Sequence, residues 1–285
     1  MIISLSKIQN YINKYHIYPK KRWGQNFLFD KNTIKKIIKT SGIEKDDLIV
    51  EIGTGYGSLT KELADTGKGV FSIEIDQDLK EVLKEELEEY DNIRILFADV
   101  LKISLEEELK RAFKYDKVPS YKVCANIPYN VTTPIIFYLL ENCINMDSAT
   151  LMMQKEVANR ILALPGSKDY GLLTLMIAYH GEARFLMNVS PNCFYPKPEV
   201  ESTLIQIKPY KEKRVITKDD KVFKGFLRAA FQKRRKTILN ISSGYFKINK
   251  QEAKNKIESV NISPFKRPEN LTIEEFALIV DTLSS

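Results

Sequence analysis

The stretch Leu48-Ile49-Val50-Glu51-Ile52-Gly53-Thr54-Gly55-Tyr56-Gly57 limits the fold more sharply than any other part of the chain. A short apolar run reads as a buried strand, and the glycines after it let the backbone turn sharply and let a ligand lie against bare peptide. The spacing is G-x-G-x-G, and Ser58 stands where the dinucleotide fingerprint needs its third glycine. From residue 48 to residue 207 short apolar runs alternate with amphipathic stretches, the pattern of repeated βαβ units in an α/β fold. Strands are expected at 48–52, 70–74, 93–97, 121–126, 150–153, 184–188 and 202–208, with helices such as 78–90 between them. After Pro209 the pattern turns helical, at 218–231, 249–260 and 272–283, and Thr272 with Glu275 forms a candidate capping box.

The length of 285 residues suits a large domain and a smaller one. The expected division is a basic extension at 1–19, a ligand-binding α/β domain at 20–210 and a helical domain at 211–285. Charge follows the same division: residues 1–24 carry +5, residues 25–210 carry −6 and residues 211–285 carry +8. Two basic ends around an acidic body favour a polyanionic partner. Cys124, Cys143 and Cys193 are odd in number and lack metal-ligand spacing, so neither a disulfide framework nor a metal site is expected. No apolar run reaches the roughly 18 residues that span a bilayer, and a cytoplasmic protein is expected, with an organellar presequence within residues 1–24 as the alternative.

Glu74 ends the second expected strand, 21 positions after Gly53, where a carboxylate in an open α/β sheet can accept both hydroxyls of a ribose. Asp99, after the third strand, is placed to accept from an adenine amino group. Either acid alone is more often a capping residue, and their occurrence at successive strand ends favours the ligand reading. Nothing is built to cradle a pyrophosphate, and an acidic body suits a cation, so these features fit S-adenosylmethionine better than a nicotinamide dinucleotide. Asn126 ends the fourth strand in Asn126-Ile127-Pro128-Tyr129. An amide oxygen and the Ile127 carbonyl can accept from an exocyclic amine, Pro128 fixes the backbone, and the Tyr129 ring can stack on a flat base. An ordinary strand-to-helix turn is the competing reading. Cys124 alternates into the core rather than toward the ligand.

Seven motifs in this order resemble the ribosomal RNA adenine dimethyltransferase family: Trp23 to Leu28, Glu51 to Gly57, Asn126 to Tyr129, Gln154 to Ala158, Lys168 to Gly171, Phe194 to Pro198 and Phe231 to Thr237. The resemblance implies a Rossmann-like class I S-adenosylmethionine-dependent methyltransferase sheet with a C-terminal all-helical domain. It implies Asn26, Leu28, Glu51, Gly53, Gly55, Glu74, Asp99 and Asn126 as cofactor contacts, and Asn126, Tyr129 and Phe194 around the target base. Lys233, Arg234, Arg235 and Lys236 would bind RNA, against the alternative of a solvated face.

The implied reaction is dimethylation of two adjacent adenosines in a hairpin loop near the 3′ end of small-subunit ribosomal RNA, by a monomer that acts on the assembling subunit. Reaching such a base requires flipping it out or using a splayed loop. Two alternatives stay open: a large-subunit enzyme of the macrolide-resistance type, and a non-catalytic RNA-binding assembly or transcription factor on the same fold.

Overall fold

Apolar strands alternating with amphipathic helices bury both kinds of surface when the strands form a parallel sheet covered on each face. The computed structural model describes residues 3–233 and 235–284, without the side chain of Lys21. In chain order the first part comprises α1 (Leu5–Tyr15), β1 (Phe27–Leu28), α2 (Lys31–Ser41), β2 (Leu48–Ile52), α3 (Ser58–Thr66), β3 (Gly69–Glu74) and α4 (Lys80–Leu87). It continues with β4 (Ile93–Phe97), α5 (Leu105–Phe113), β5 (Tyr121–Asn126), α6 (Thr132–Asn142), β6 (Met146–Gln154) and α7 (Lys155–Ile161). After α8 (Leu172–His180) come β7 (Gly181–Val189), β8 (Phe194–Tyr195) and β9 (Ser202–Pro209).

Seven strands form one sheet in the order β4-β3-β2-β5-β6-β9-β7. Strands β2 to β6 pair in parallel, while β9 runs antiparallel to β6. The order turns around between β2 and β5, which opens a crevice at the carboxyl ends of these two strands. A second, two-stranded sheet pairs β1 with β8, setting Leu28 opposite Phe194. Strands expected at 48–52, 93–97 and 121–126 coincide with β2, β4 and β5, and the expected 150–153 and 184–188 are the middles of β6 and β7. The helix expected at 78–90 is split: Asp76 caps a 3-10 turn, Gln77–Leu79, before α4 begins.

The N-terminal extension is not separate from the fold. Ser4 caps α1, whose Ile8, Tyr11 and Ile12 join the core cluster that holds Ile34, Leu63 and Leu83. The Tyr11 hydroxyl donates to Glu86 on α4, and the same carboxylate pairs with Lys7 of α1 and Lys61 of α3. Glu86 is 1% exposed and Lys61 8%, so this pair is desolvated, unlike the exposed Lys14–Glu85 pair beside it. Burial opposes ionisation of Glu86, but the Lys61 and Lys7 ammonium groups outweigh it and hold the carboxyl below the usual range.

The chain divides into two compact units, Met1–Ala158 with Arg184–Pro209 and Asn159–Ala183 with Tyr210–Ser285. The expected boundary at 210 therefore misses an exchange: residues 159–183 belong with the helical unit. The reason is α8, in which Leu173, Leu175, Met176, Ile177 and Tyr179 are all buried. A helix apolar on so many sides needs helices around it, and α8 packs on α9 (Asp220–Gln232) and α12 (Ile273–Leu283). Between these lie α10 (Ile238–Phe246) and α11 (Lys250–Ser259). Phe226 sits at the centre, 5.3 Å from the Tyr245 ring and 6.2 Å from Phe276. The capping box of Thr272 and Glu275 is present, with both reciprocal hydrogen bonds formed.

The Glu86 cluster yields a stability contrast. Glu86→Ala leaves Lys61 buried without its partner and should destabilise the fold by about 3–5 kcal/mol in denaturant titration, as loss of one member of a buried pair does. Glu85→Ala should change the unfolding midpoint little, because its partner Lys14 is solvated. Equal effects would mean that α1 is held by general burial and not by the Glu86 pair.

Candidate functional site

The cleft at the β2/β5 switch point is lined by the segments 23–28, 51–56, 58–59, 73–75, 98–101 and 126–131, with Ile135. These are the ends of four consecutive parallel strands plus the N-terminal segment that carries β1. Gly53, Gly55 and Gly57 all have positive φ, at 86°, 56° and 87°, which is how the loop turns from β2 into α3. At Gly55 space is also limiting, since a Cβ there would lie 2.9 Å from the Phe27 ring. The loop is closed by the Gly57 amide donating to the Thr54 carbonyl at 2.9 Å and anchored by the Gly53 amide donating to Ile73 at 2.8 Å.

Two carboxyl groups lie beneath this loop. Glu51 is 0% exposed. Its Oε2 accepts from Thr60 at 2.6 Å and Ser72 at 2.7 Å, whereas Oε1 has no hydrogen-bond partner among the described residues. Burial, partly opposed by those two hydroxyls and aided by the nearby Glu74 charge, pushes Glu51 up to about 8. Glu74 accepts the Gly55 amide at 2.9 Å on one oxygen and the Asp76 amide at 2.8 Å on the other. Burial raises it to about 7 against these backbone donors. The two oxygens together offer about four acceptor positions, more than the amides of Gly55, Asp76 and Ile75 use, so Glu74 can hold the loop and still accept from a ligand hydroxyl. Asp99 lines the cleft while its Oδ1 accepts from the Leu101 amide at 3.1 Å.

Asn126, at the end of β5, donates its Nδ2 to the Asn26 carbonyl at 2.9 Å. That bond fixes which end of the amide is the donor and leaves Oδ1 as a lone acceptor among the described residues. Downstream, the Val131 amide donates to the Pro128 carbonyl at 3.2 Å, forming the tight turn in which Tyr129 sits. The Tyr129 hydroxyl shares a 2.6 Å hydrogen bond with Ser202, so the ring is tethered to β9. Burial pushes its phenol above the usual range. Cys124 is a core residue as expected, fully buried with its thiol pushed well up by burial.

The structure therefore brings together Asn26, Leu28, Glu51, Gly53, Gly55, Glu74, Asp99, Asn126 and Tyr129. It does not bring Phe194 among them. Phe194 pairs with Leu28 across β1 and β8, but it is 2% exposed, packs in the hydrophobic core cluster and does not line the cleft. Of the basic cluster, Lys233, Arg235 and Lys236 are exposed in the turn between α9 and α10, and Arg234 lies outside the described residues. Sequence reasoning missed Asp76, which is 0% exposed and accepts from Lys20 at 2.6 Å and Gln25 at 2.9 Å. It also missed Trp23 as a cleft residue. The signal for both was the motif Trp23 to Leu28, read only through Asn26 and Leu28.

The placement of Phe194 is open to measurement. A fully packed phenylalanine predicts that Phe194→Ala costs about 3–5 kcal/mol of stability. Chemical denaturation that finds less than about 1 kcal/mol would mean the ring spends its time exposed, as a base-stacking residue would.

The residue pattern matches the family model for ribosomal RNA adenine dimethylase over residues 18–285. Ribosomal RNA small subunit methyltransferase A of Caldanaerobacter subterraneus subsp. tengcongensis is 43% identical over 264 residues, covering 93% of this chain and 97% of that one. The protein of the same name from Alkaliphilus metalliredigens is 40% identical over 285 residues, covering 100% and 98%. Among solved structures, a dimethyladenosine transferase from Plasmodium falciparum superposes with a TM-score of 0.73 at 27% identity, covering 89% of this chain and 95% of that one. The 23S rRNA methyltransferase ErmE superposes at 0.67 with 25% identity, covering 91% and 100%. With a glycine loop, strand-end acids and an oriented Asn126 in the switch-point cleft, the chain belongs to the ribosomal RNA adenine dimethylase family.

Proposed function

We propose that this protein transfers methyl groups from S-adenosylmethionine to the exocyclic amines of adenosines in small-subunit ribosomal RNA, and that it does so twice at each amine. The observation that carries this reading is the Asn126 amide, whose donor end is occupied by the Asn26 carbonyl so that the acceptor end remains for an N–H. An amine that donates to Oδ1 is held with its lone pair directed, which removes much of the orientational cost of the transfer. The identity of about 40% to small-subunit methyltransferases over nearly the whole chain favours that RNA over the large-subunit type.

The cleft fits the cofactor on its own chemistry. Glu51 Oε1, buried and without a partner among the described residues, is an acceptor suited to a cationic amine. Glu74 would take the ribose hydroxyls and Asp99 the adenine amine, with Asn26, Leu28, Gly53 and Gly55 forming the walls. When bound, the cofactor supplies an electrophilic methyl on a sulfonium. The protein needs no strong base, because the methylated ammonium is acidic enough to lose its proton to water. Tyr129 would hold the base face, and the exposed Lys233, Arg235 and Lys236, with Arg234, would contact phosphates. The assembling small subunit is the expected form of the substrate.

The decisive experiment is methyl transfer to unmethylated small-subunit particles, with large-subunit RNA beside them and methylated nucleosides counted by mass spectrometry. Dimethyladenosine confined to the small subunit supports the proposal, and product in large-subunit RNA or in neither would overturn it. Asn126→Ala should lower single-turnover rates about 100-fold or more at both methyl transfers. Tyr129→Phe, which keeps the ring and loses the Ser202 tether, should slow them far less.

Proton linkage checks the cofactor assignment. With Glu51 raised to about 8 and Glu74 to about 7, the free protein holds protons near neutrality that a cationic ligand displaces. Affinity for S-adenosylmethionine should rise from pH 6 to about 7.5, below the roughly 8 at which an α-amino group itself titrates, by up to about tenfold per unit for each proton released. Calorimetry in two buffers of different ionisation enthalpy should register that release. A flat pH profile would mean both acids are already ionised.

A further inference from the structure

We propose that Arg22, held at the mouth of the cleft by Trp23, grips a phosphate of the nucleotide whose base enters the site. This rests on the reading of the cleft as an RNA-base site and adds a contact outside the basic cluster at 233–236. Trp23 lines the cleft together with residues 126–131. The segment that carries it lies directly against the target tetrapeptide. Asn130 Nδ2 donates to the Arg22 carbonyl at 2.7 Å, and a Cβ at Gly24 would come within 3.2 Å of Asn130 and 3.5 Å of the Tyr129 amide.

Two cations sit on the indole: Lys20 Nζ and Arg22 Cζ are each 4.5 Å from the ring centroid. They are not equivalent. Lys20 is neutralised by Asp76 and Asp78, the first of these 1% exposed. Arg22 is exposed and makes no ion pair among the described residues. The carboxylates in this neighbourhood thus engage the lysine and leave the guanidinium available. A guanidinium positioned on an aromatic ring loses little further freedom when it binds, and its planar fork matches phosphate oxygens.

Tethering supplies the rest of the argument. A base in a polynucleotide is joined through its sugar to phosphates on both sides. It cannot enter a cleft without bringing them to the entrance. A cation at that entrance, fixed to the same backbone turn as the amine-binding residues, sets the depth and register of the base as well as adding affinity.

The test uses the full-length protein with small-subunit RNA and, separately, with S-adenosylmethionine. Arg22→Ala should weaken RNA binding about three- to tenfold at moderate salt and reduce the slope of log affinity against log salt by about 0.7 to 0.9, the signature of one lost phosphate contact. Cofactor affinity and melting temperature should be unchanged. Trp23→Leu keeps the charge but frees the guanidinium, so it should weaken RNA binding as well, and adding Arg22→Ala to it should cost much less than Arg22→Ala alone.

An unchanged affinity and slope in Arg22→Ala overturns the proposal while leaving the methyltransferase reading intact. So does a fall in cofactor affinity or stability, which would make Arg22 part of the cofactor site or the fold. Failure of the unsubstituted protein to bind the RNA would instead remove the functional reading on which the proposal stands.

Discussion

Glu51 is the group around which the glycine-loop side of the cleft is organised. Its carboxyl is withdrawn completely from water, and one oxygen collects the hydroxyls of Thr60 from α3 and Ser72 from β3. Ser72 in turn shares a 2.6 Å hydrogen bond with Thr54 in the glycine loop. One acid therefore fixes the start of a helix, the neighbouring strand and the loop between them. Burying it is costly, which is why its proton is retained up to about 8, and its second oxygen has no donor among the described residues. A site that leaves an acceptor unsatisfied at its floor is less stable than it could be, and a ligand that brings the missing donor recovers the difference.

The N-terminal segment joins this floor to the Asn126–Asn130 rim of the cleft. Asn26 gives its carbonyl to Asn126, Gln25 and Lys20 reach Asp76 two residues beyond Glu74, and Phe27 packs 4.6 Å from the Tyr56 ring in the glycine loop. Tyr56 in turn donates its hydroxyl to the Ile17 carbonyl and stacks near Tyr11 of α1. The segment thus touches the glycine loop on one side and the turn that follows Asn126 on the other. Residues 20–27, at the start of the expected α/β domain, link the two sides of the cleft, and α1 of the basic extension packs behind the glycine loop through Tyr11 and Tyr56.

What the sequence made legible was whatever depends on local pattern. Strand ends at Ile52, Glu74, Phe97 and Asn126 follow from apolar runs and their punctuation, and they are the points from which the cleft is built. Three features were not legible, each for a different reason. Phe194 carries a family motif, yet its exposure is decided by tertiary packing around a β1–β8 pair whose strands lie more than 160 residues apart, which no local signal announces. Helix α10 contains Ser242, Ser243 and Gly244, poor helix formers, and is held by packing on α9 and α11, with Ile238 and Ile241 buried. The membership of α8 in the helical unit depends on which surfaces bury its apolar faces, and periodicity cannot say that for a helix apolar nearly all round.

The division of labour between cleft and surface follows from what each can read. A lone amide acceptor, a ring and a proline turn recognise an amine on a flat heterocycle, and every adenosine in any RNA presents that. ErmE shares the fold over 91% of this chain while being a 23S rRNA methyltransferase. A cleft built only to hold adenine therefore cannot by itself choose between ribosomal subunits. Selection must lie in groups that sense the path of the backbone around the base, because only the three-dimensional course of phosphates differs where the bases are the same. On the function proposed above, those groups would be cations of the basic ends: Arg22, next to the cleft-lining Trp23, and the 211–285 segment with its net +8. On that reading, shape is left to cations and chemistry to Asn126, so that either could change without rebuilding the other.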